Sequence, residues 1–152
     1  MLIYIGADHR GFRLKERLKR FLNGLGYEIV DKGAGAYNEK DDYPDFAAAV
    51  AREVATDPGN RRGILICGSG VGVDIVANKF PRVRSGIALS NDQVFAARHD
   101  DDINILSLAA DFTLEEDAEK LAKTFLTTPF SGEERHKRRI KKIGELTENK
   151  VI

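Results

Sequence analysis

The sequence predicts an α/β fold, a Rossmann-like three-layer sandwich with a five-stranded parallel sheet. Two observations carry that prediction. Short apolar runs alternate with longer amphipathic stretches along the whole chain, the pattern of repeated strand–helix–strand units. Glycine-rich turns follow two of the apolar runs, in "IGADHRG" (5–11) and "ICGSGVG" (66–72), where a strand hands over to a helix. The chain, 1–152, has the length of one domain.

Taken in order, "LIYIG" (2–6) is the first strand. In "FRLKERLKRFLNGLG" (12–26), Leu14, Leu18, Phe21, Leu22 and Leu25 recur at helical spacing and Gly26 marks the stop. "YEIVDKG" (27–33) is the next strand. "DYPDFAAAVAREVA" (42–55) is a helix whose Pro44 stands in the first turn, where its missing N–H costs nothing, while Asp45 suits the positive helix start. A strand at 62–67, a helix at 71–79, a strand at 85–89, a helix at 92–99 and a strand at 103–108 follow. Helices at 114–126 and 132–147 close the chain. Strands joined through helices imply right-handed crossovers and helices on both faces of the sheet. Ligands of such sheets bind beyond the carboxyl ends of the strands, so the residues to inspect come just after each strand.

Composition narrows the function classes. Lys plus Arg and Asp plus Glu each number 24, and zero formal net charge argues against a general binder of nucleic acid or of anionic membranes. One cysteine excludes an intramolecular disulfide framework and a multi-cysteine zinc site. "MLIYIGAD" lacks the regions of a signal peptide, and no apolar run approaches the ~20 residues that span a bilayer. A soluble cytoplasmic protein is the expectation.

Four strand-end or helix-end clusters hold the candidate chemistry. Asp8 and His9 follow the first strand. Either Asp8 caps the helix and His9 packs, or both face the crevice, His9 donating to a phosphate or hydroxyl and Asp8 accepting from a sugar hydroxyl. Cys67 ends the third strand, immediately before "GSGVG" (68–72). It is either a small buried residue or a thiol at a helix start, where the thiolate, the reactive form, is favoured. Glycines there let successive N–H groups converge on an anion. The loop is neither a Walker A motif nor a full dinucleotide fingerprint, since Val73 stands where the last glycine belongs. "RHDDDINIL" (98–106) puts three aspartates side by side, but adjacent side chains diverge and Ile105 stands where a calcium loop needs glycine. His9, His99 and His136 are too scattered to suggest zinc, so no metal is expected. The last helix carries "EERHKRRIKKIGE" (133–145), either a solvated face or, through Arg135 and Arg139 on one face, a phosphate clamp.

Together these residues resemble the type B ribose 5-phosphate isomerases, a family that also includes galactose 6-phosphate and allose 6-phosphate isomerases. The resemblance runs through "GADHRGF", "DYPDFA", "ICGSGVGVDIVANK", "TTPFSG" and "RHKRRIKKI", in family order and spacing. It implies aldose–ketose isomerisation of a phosphorylated sugar through an enediol, without a metal or organic cofactor, with ribose 5-phosphate and ribulose 5-phosphate as the default pair. By position, the resemblance makes Cys67 the base and gives Ser69 the task of orienting the proton-shuttling oxygen. The N–H groups of Gly68, Ser69, Gly70, Val71 and Gly72 would stabilise the enediolate. Asp8, His9 and Tyr43 match substrate contacts, and Arg135 and Arg139 match the phosphate clamp. Family members form dimers with sites between subunits, which implies a homodimer or a dimer of dimers here, with helix 132–147 near the partner.

The chain departs from the family pattern in the second half of the site. Where the family reads Arg-x-His-Asn, a gapless match through Arg98 and "NIL" (104–106) turns the ring-opening His into Asp100 and the following Asn into Asp101. His99 sits one residue early, so both His99 and Asp100 are candidates for ring opening. A substrate-contacting Arg becomes Asp111. These carboxylates suit vicinal hydroxyls, which opens two alternatives: an isomerase of a different sugar or sugar phosphate, or a weakly catalytic binding homologue.

Overall fold

The computed structural model describes residues 1–147. Its elements in chain order are β1 (Leu2–Ala7), α1 (Phe12–Gly24), β2 (Glu28–Asp31), α2 (Tyr43–Thr56), β3 (Arg61–Cys67), α3 (Val71–Ala77), β4 (Ser85–Ile87), α4 (Asn91–Asp101), β5 (Ile105–Ala109), α5 (Glu115–Thr127) and α6 (Glu134–Thr147). Each element foreseen from the sequence forms, with ends moved by a few residues. Asp102, left-handed at φ 47°, ends α4 and delays β5 to Ile105. β4 is cut to three residues because only Ser85–Ile87 pair with β5.

The strands form one five-stranded parallel sheet in the order β2-β1-β3-β5-β4. Alternation along each strand builds a core on each face. Ile3, Ile5, Ile64, Ile66, Leu106 and Leu108 point into one core, against apolar residues of α1, α4 and α5. Tyr4, Leu65, Cys67 and Ile105 point into the other, against Val50 and Val54 of α2 and Val73 of α3. Both faces of the sheet are therefore covered, which is why its strands read as near-continuous apolar runs.

Buried polar side chains fix the loops between these layers. Arg98, 4% exposed, donates to the carbonyls of Thr128 and Ile103 (3.3 and 2.5 Å) and pairs with Asp102 at 2.7 Å. Asn104 accepts from Arg84 N at 2.9 Å and donates to Arg82 O at 2.8 Å, holding β4 to the start of β5. Arg98 and Asn104, two residues that anchored the gapless sequence match, thus serve the scaffold.

Candidate active site

The strand order turns around at β1, with β2 on one side and β3 on the other. The carboxyl ends of β1 and β3 therefore flank a switch point, the place where an open parallel sheet leaves a crevice for ligands. Asp8, His9 and Arg10 leave β1 there, Cys67 ends β3, and Asp111 leaves the neighbouring β5.

Cys67 is 4% exposed, and its Sγ accepts from Gly70 N at 3.2 Å. Gly70 caps α3 at φ 75°, a left-handed conformation that an L side chain adopts only with strain. A Cβ on it would also stand 3.1 Å from the Leu108 backbone, so the loop lies directly on β5. Ser69 is exposed and its Oγ accepts from Val71 N at 3.3 Å. The Tyr43 ring rests on Gly72, where a Cβ would come 2.6 Å from Cζ. Two of the loop's N–H groups thus have partners inside the loop, and small residues let a thiol, a phenol and a hydroxyl crowd one strand end.

Asp8, 5% exposed, accepts from Gly11 N through Oδ1 at 3.0 Å and so closes the turn before α1, but it is not the helix cap, because Gly11 is the N-cap and α1 has no side-chain cap. Its Oδ2 has no protein partner among the described residues. Asp41 holds His9 twice, accepting from the backbone N at 3.0 Å and from Nδ1 at 2.8 Å. Because a carboxylate only accepts, the ring proton sits on Nδ1 and Nε2 is left for a ligand. Asp41 escaped sequence reasoning: it lies in a loop without periodicity and contacts a residue 32 positions away. Arg10 escaped it too, although a cation beside the Asp-His pair was visible. Its guanidinium pairs with Asp111 directly over Gly68.

The other candidates gather at the opposite edge. α4 runs back across the sheet, and the residues after it enter β5 at Ile105, which pairs with Gly63 and Ser85 near the strand starts. His99 Nδ1 and Asp100 Oδ1 lie 2.7 Å apart, and the His99 ring stacks on Phe95. His136, 2% exposed, is fixed by Ser131 Oγ at Nδ1 (2.7 Å) and turns Nε2 to within 3.7 Å of Asp100 Oδ1. The hydrogen bond from His99 is the main cause that holds the Asp100 carboxyl below its ordinary range, against a smaller opposing effect of burial. The fold thus joins two histidines that are far apart in sequence. Donor atoms of His99, Asp100 and His136 lie within 4.8 Å of one another, the one described group with the donor chemistry to hold a metal ion. Asp101 is exposed, whereas Asp102 pairs with Arg84 and Arg98, so the three aspartates do diverge. Arg135 and Arg139 are both exposed on α6, and Arg135 pairs with Glu133 at 2.7 Å.

Within one chain the candidates therefore form two groups. Asp8, His9, Tyr43, Cys67, Ser69, the loop glycines and Asp111 stand at the carboxyl edge of the sheet. His99, Asp100, Asp101, Arg135 and Arg139 stand at the other edge.

Comparison with known proteins agrees with the fold. Residues 3–143 match the family described as Ribose/Galactose Isomerase. The chain is 38% identical over 145 residues to ribose-5-phosphate isomerase B of Mycobacterium tuberculosis, covering 95% of this chain and 89% of that one. It superposes on ribose-5-phosphate isomerase B from Mycoplasma genitalium with bound ribulose-5-phosphate at a TM-score of 0.94 and 37% identity, with 97% of each chain covered. The corresponding protein from Clostridium thermocellum gives 0.92 and 39%, covering 97% of this chain and 98% of that one.

Proposed function

The chain belongs to the ribose/galactose isomerase family, and on that premise we propose that it interconverts ribose 5-phosphate and ribulose 5-phosphate through a Cys67-generated enediolate. The observation that carries the reading is the Cys67 thiol at the switch point, with the Gly70 N–H on its sulfur and Asp8 and His9 across the crevice. A Cys67 thiolate takes the C2 proton of the open-chain aldose. The C2–H electron pair forms a C1–C2 double bond and the carbonyl electrons move onto O1. The proton on O2 passes to O1, with Ser69 orienting the oxygens, and the thiol returns its proton to C1. Hydrogen moves only as a proton, so the reaction needs no redox cofactor. Negative charge on O1 and O2 is met by the N–H groups of the 68–72 loop other than those of Gly70 and Val71, and His9 Nε2 and Asp8 Oδ2 hold sugar hydroxyls, while Tyr43 lines the loop.

The separation of the two residue groups supports a shared site. A dimer that brings the α6 end of one copy to the Cys67 end of the other would join the thiol to His99, Asp100, Asp101, Arg135 and Arg139. In that arrangement the arginines bind the phosphate as guanidinium forks, and the His99–Asp100 pair opens the sugar ring. No helix of the described residues is long and apolar enough to cross a membrane. A cytoplasmic enzyme of carbohydrate metabolism, acting on the pentose phosphate pool, is the reading that fits.

The test is turnover of ribose 5-phosphate by the purified protein, followed through the ketose product. Turnover supports the reading. No turnover in folded protein overturns the pentose assignment. The exposed Asp101 and the paired Asp100 then favour a second reading, a sugar phosphate with more hydroxyls to satisfy, which a panel of hexose phosphates would identify.

A further inference from the structure

Arg10 is the one described cation whose guanidinium lies against the loop that starts at Cys67. A Cβ placed on Gly68 would stand 2.7 Å from Arg10 Nε, 2.9 Å from its Cζ and 2.7 Å from Asp111 Oδ2. The Arg10–Asp111 ion pair therefore fills the space that any side chain at 68 would occupy. Backbone hydrogen bonds fix the carboxylate side of the pair: Ala110 N donates to Cys67 O at 2.9 Å and Asp111 N to Gly68 O at 3.0 Å. Asp111 is thus carried on the same short segment that bonds to the thiol strand, and its position is set by the backbone.

The pair is asymmetric. Arg10 donates through Nη2 to Asp111 Oδ2, and among the described residues it has no other partner. Its side chain is 59% exposed against 35% for Asp111, so the cation faces outward and the anion lies beneath it. Nε and Nη1 retain donors that no described residue uses. For Cys67 Sγ to reach C2, the reacting carbons must lie over the same loop, which puts their oxygens beside this guanidinium.

We propose that Arg10 is a catalytic residue of this chain, donating to the oxygen on which charge develops during enediolate formation, and that Asp111 is the positioning residue that holds it there. The inference rests on the isomerase reading and assigns it a charged donor in addition to the loop N–H groups. It also changes the part of Asp111. Its carboxylate neutralises and aims Arg10, in place of holding vicinal sugar hydroxyls. A fixed guanidinium beside a half-desolvated oxyanion acts mainly in the transition state, so the effect falls on kcat more than on KM.

Steady-state kinetics on ribose 5-phosphate with Arg10→Met, Asp111→Ala and Asp111→Asn test this. Arg10→Met is expected to lower kcat by about a hundredfold, the loss typical of one oxyanion donor, with KM within about threefold of wild type. Asp111→Ala frees an exposed arginine and is expected to lower kcat by roughly tenfold. Asp111→Asn keeps an acceptor and should recover most of that loss, which a merely structural role for Asp111 would not produce. Exposed pairs contribute little to stability, so all three variants should melt close to wild type. A wild type that turns over together with an Arg10→Met variant within twofold of its kcat overturns the proposal and leaves the isomerase reading standing. If wild type shows no turnover, that reading falls and binding decides. A phosphorylated hydroxamate, a planar mimic of the enediolate, should then bind Arg10→Met at least tenfold more weakly than wild type, and equal affinity overturns the proposal.

Discussion

Lys15 offers the sharpest test of the account of the scaffold. It lies on α1 with no exposed surface, and its Nζ donates to Asp31 Oδ2 at 2.6 Å and to Ala34 O at 2.7 Å, 5.1 Å from the Phe12 ring centroid. Lys15→Met keeps the apolar stem and removes the ammonium. Asp31 is not orphaned by the change, because Lys19 still donates to Oδ2 at 2.7 Å and Gly33 N to Oδ1 at 2.8 Å. The loss is therefore smaller than the upper range for a broken buried pair, about 5 kcal/mol. One charge-assisted bond at roughly 2 kcal/mol and one half-buried carbonyl left unpaired at about 1 kcal/mol give ~3 kcal/mol. For a domain of this length that is a fall in Tm of about 6–12 °C. Urea and thermal unfolding, run at one protein concentration because subunit association shifts apparent stability, measure it. A loss under ~1 kcal/mol would refute the reasoning that this buried ammonium stabilises the β2–α1 junction.

Other outcomes follow from the same geometry. Asp41→Ala releases both holds on His9 and should lower kcat/KM by roughly tenfold to a hundredfold with little change in Tm; unchanged kinetics would separate His9 orientation from the reaction. Gly70→Ala forces a Cβ onto a left-handed residue above Leu108, costing about 1–2 kcal/mol and displacing the N–H that meets Cys67, so stability and kcat should both fall. Burial raises the Asp31 carboxyl, but the hydrogen bonds from Lys15, Lys19 and Gly33 outweigh it and hold the group below its ordinary 3.8. The stability it contributes is then fully present above that value and lost as pH falls through the lower folded pKa, so acid unfolding of wild type below about pH 4 should be steeper than that of Asp31→Asn. Mixing the inactive variants Cys67→Ala and Arg139→Ala should restore activity through mixed dimers that hold one intact site. No recovery after subunit exchange would contradict the shared site.

The fold was legible because its signals are local. Short apolar runs between amphipathic stretches marked the strands and helices, and Pro44 with Asp45 marked the start of α2. Strand order was not legible, since register depends on pairing between distant segments such as Ile5 with Ile64. At the site, the thiol and its glycine loop could be read from neighbouring residues in one turn. Asp41 on His9, Arg10 with Asp111, and His136 beside Asp100 could not, because each joins residues from 32 to 101 positions apart. Asp111 shows the consequence. Read alone, it is a carboxylate suited to sugar hydroxyls, and only the fold reveals the arginine paired with it.

The measurement that bears most directly on the central claim is proton exchange at the reacting carbons, followed by NMR in deuterated water with ribose 5-phosphate and ribulose 5-phosphate. Wild type is expected to interconvert the two sugars and to introduce deuterium at C2 of the aldose and C1 of the ketose, while folded Cys67→Ala does neither. Exchange that persists in Cys67→Ala would contradict the account, because another group would then be taking the proton.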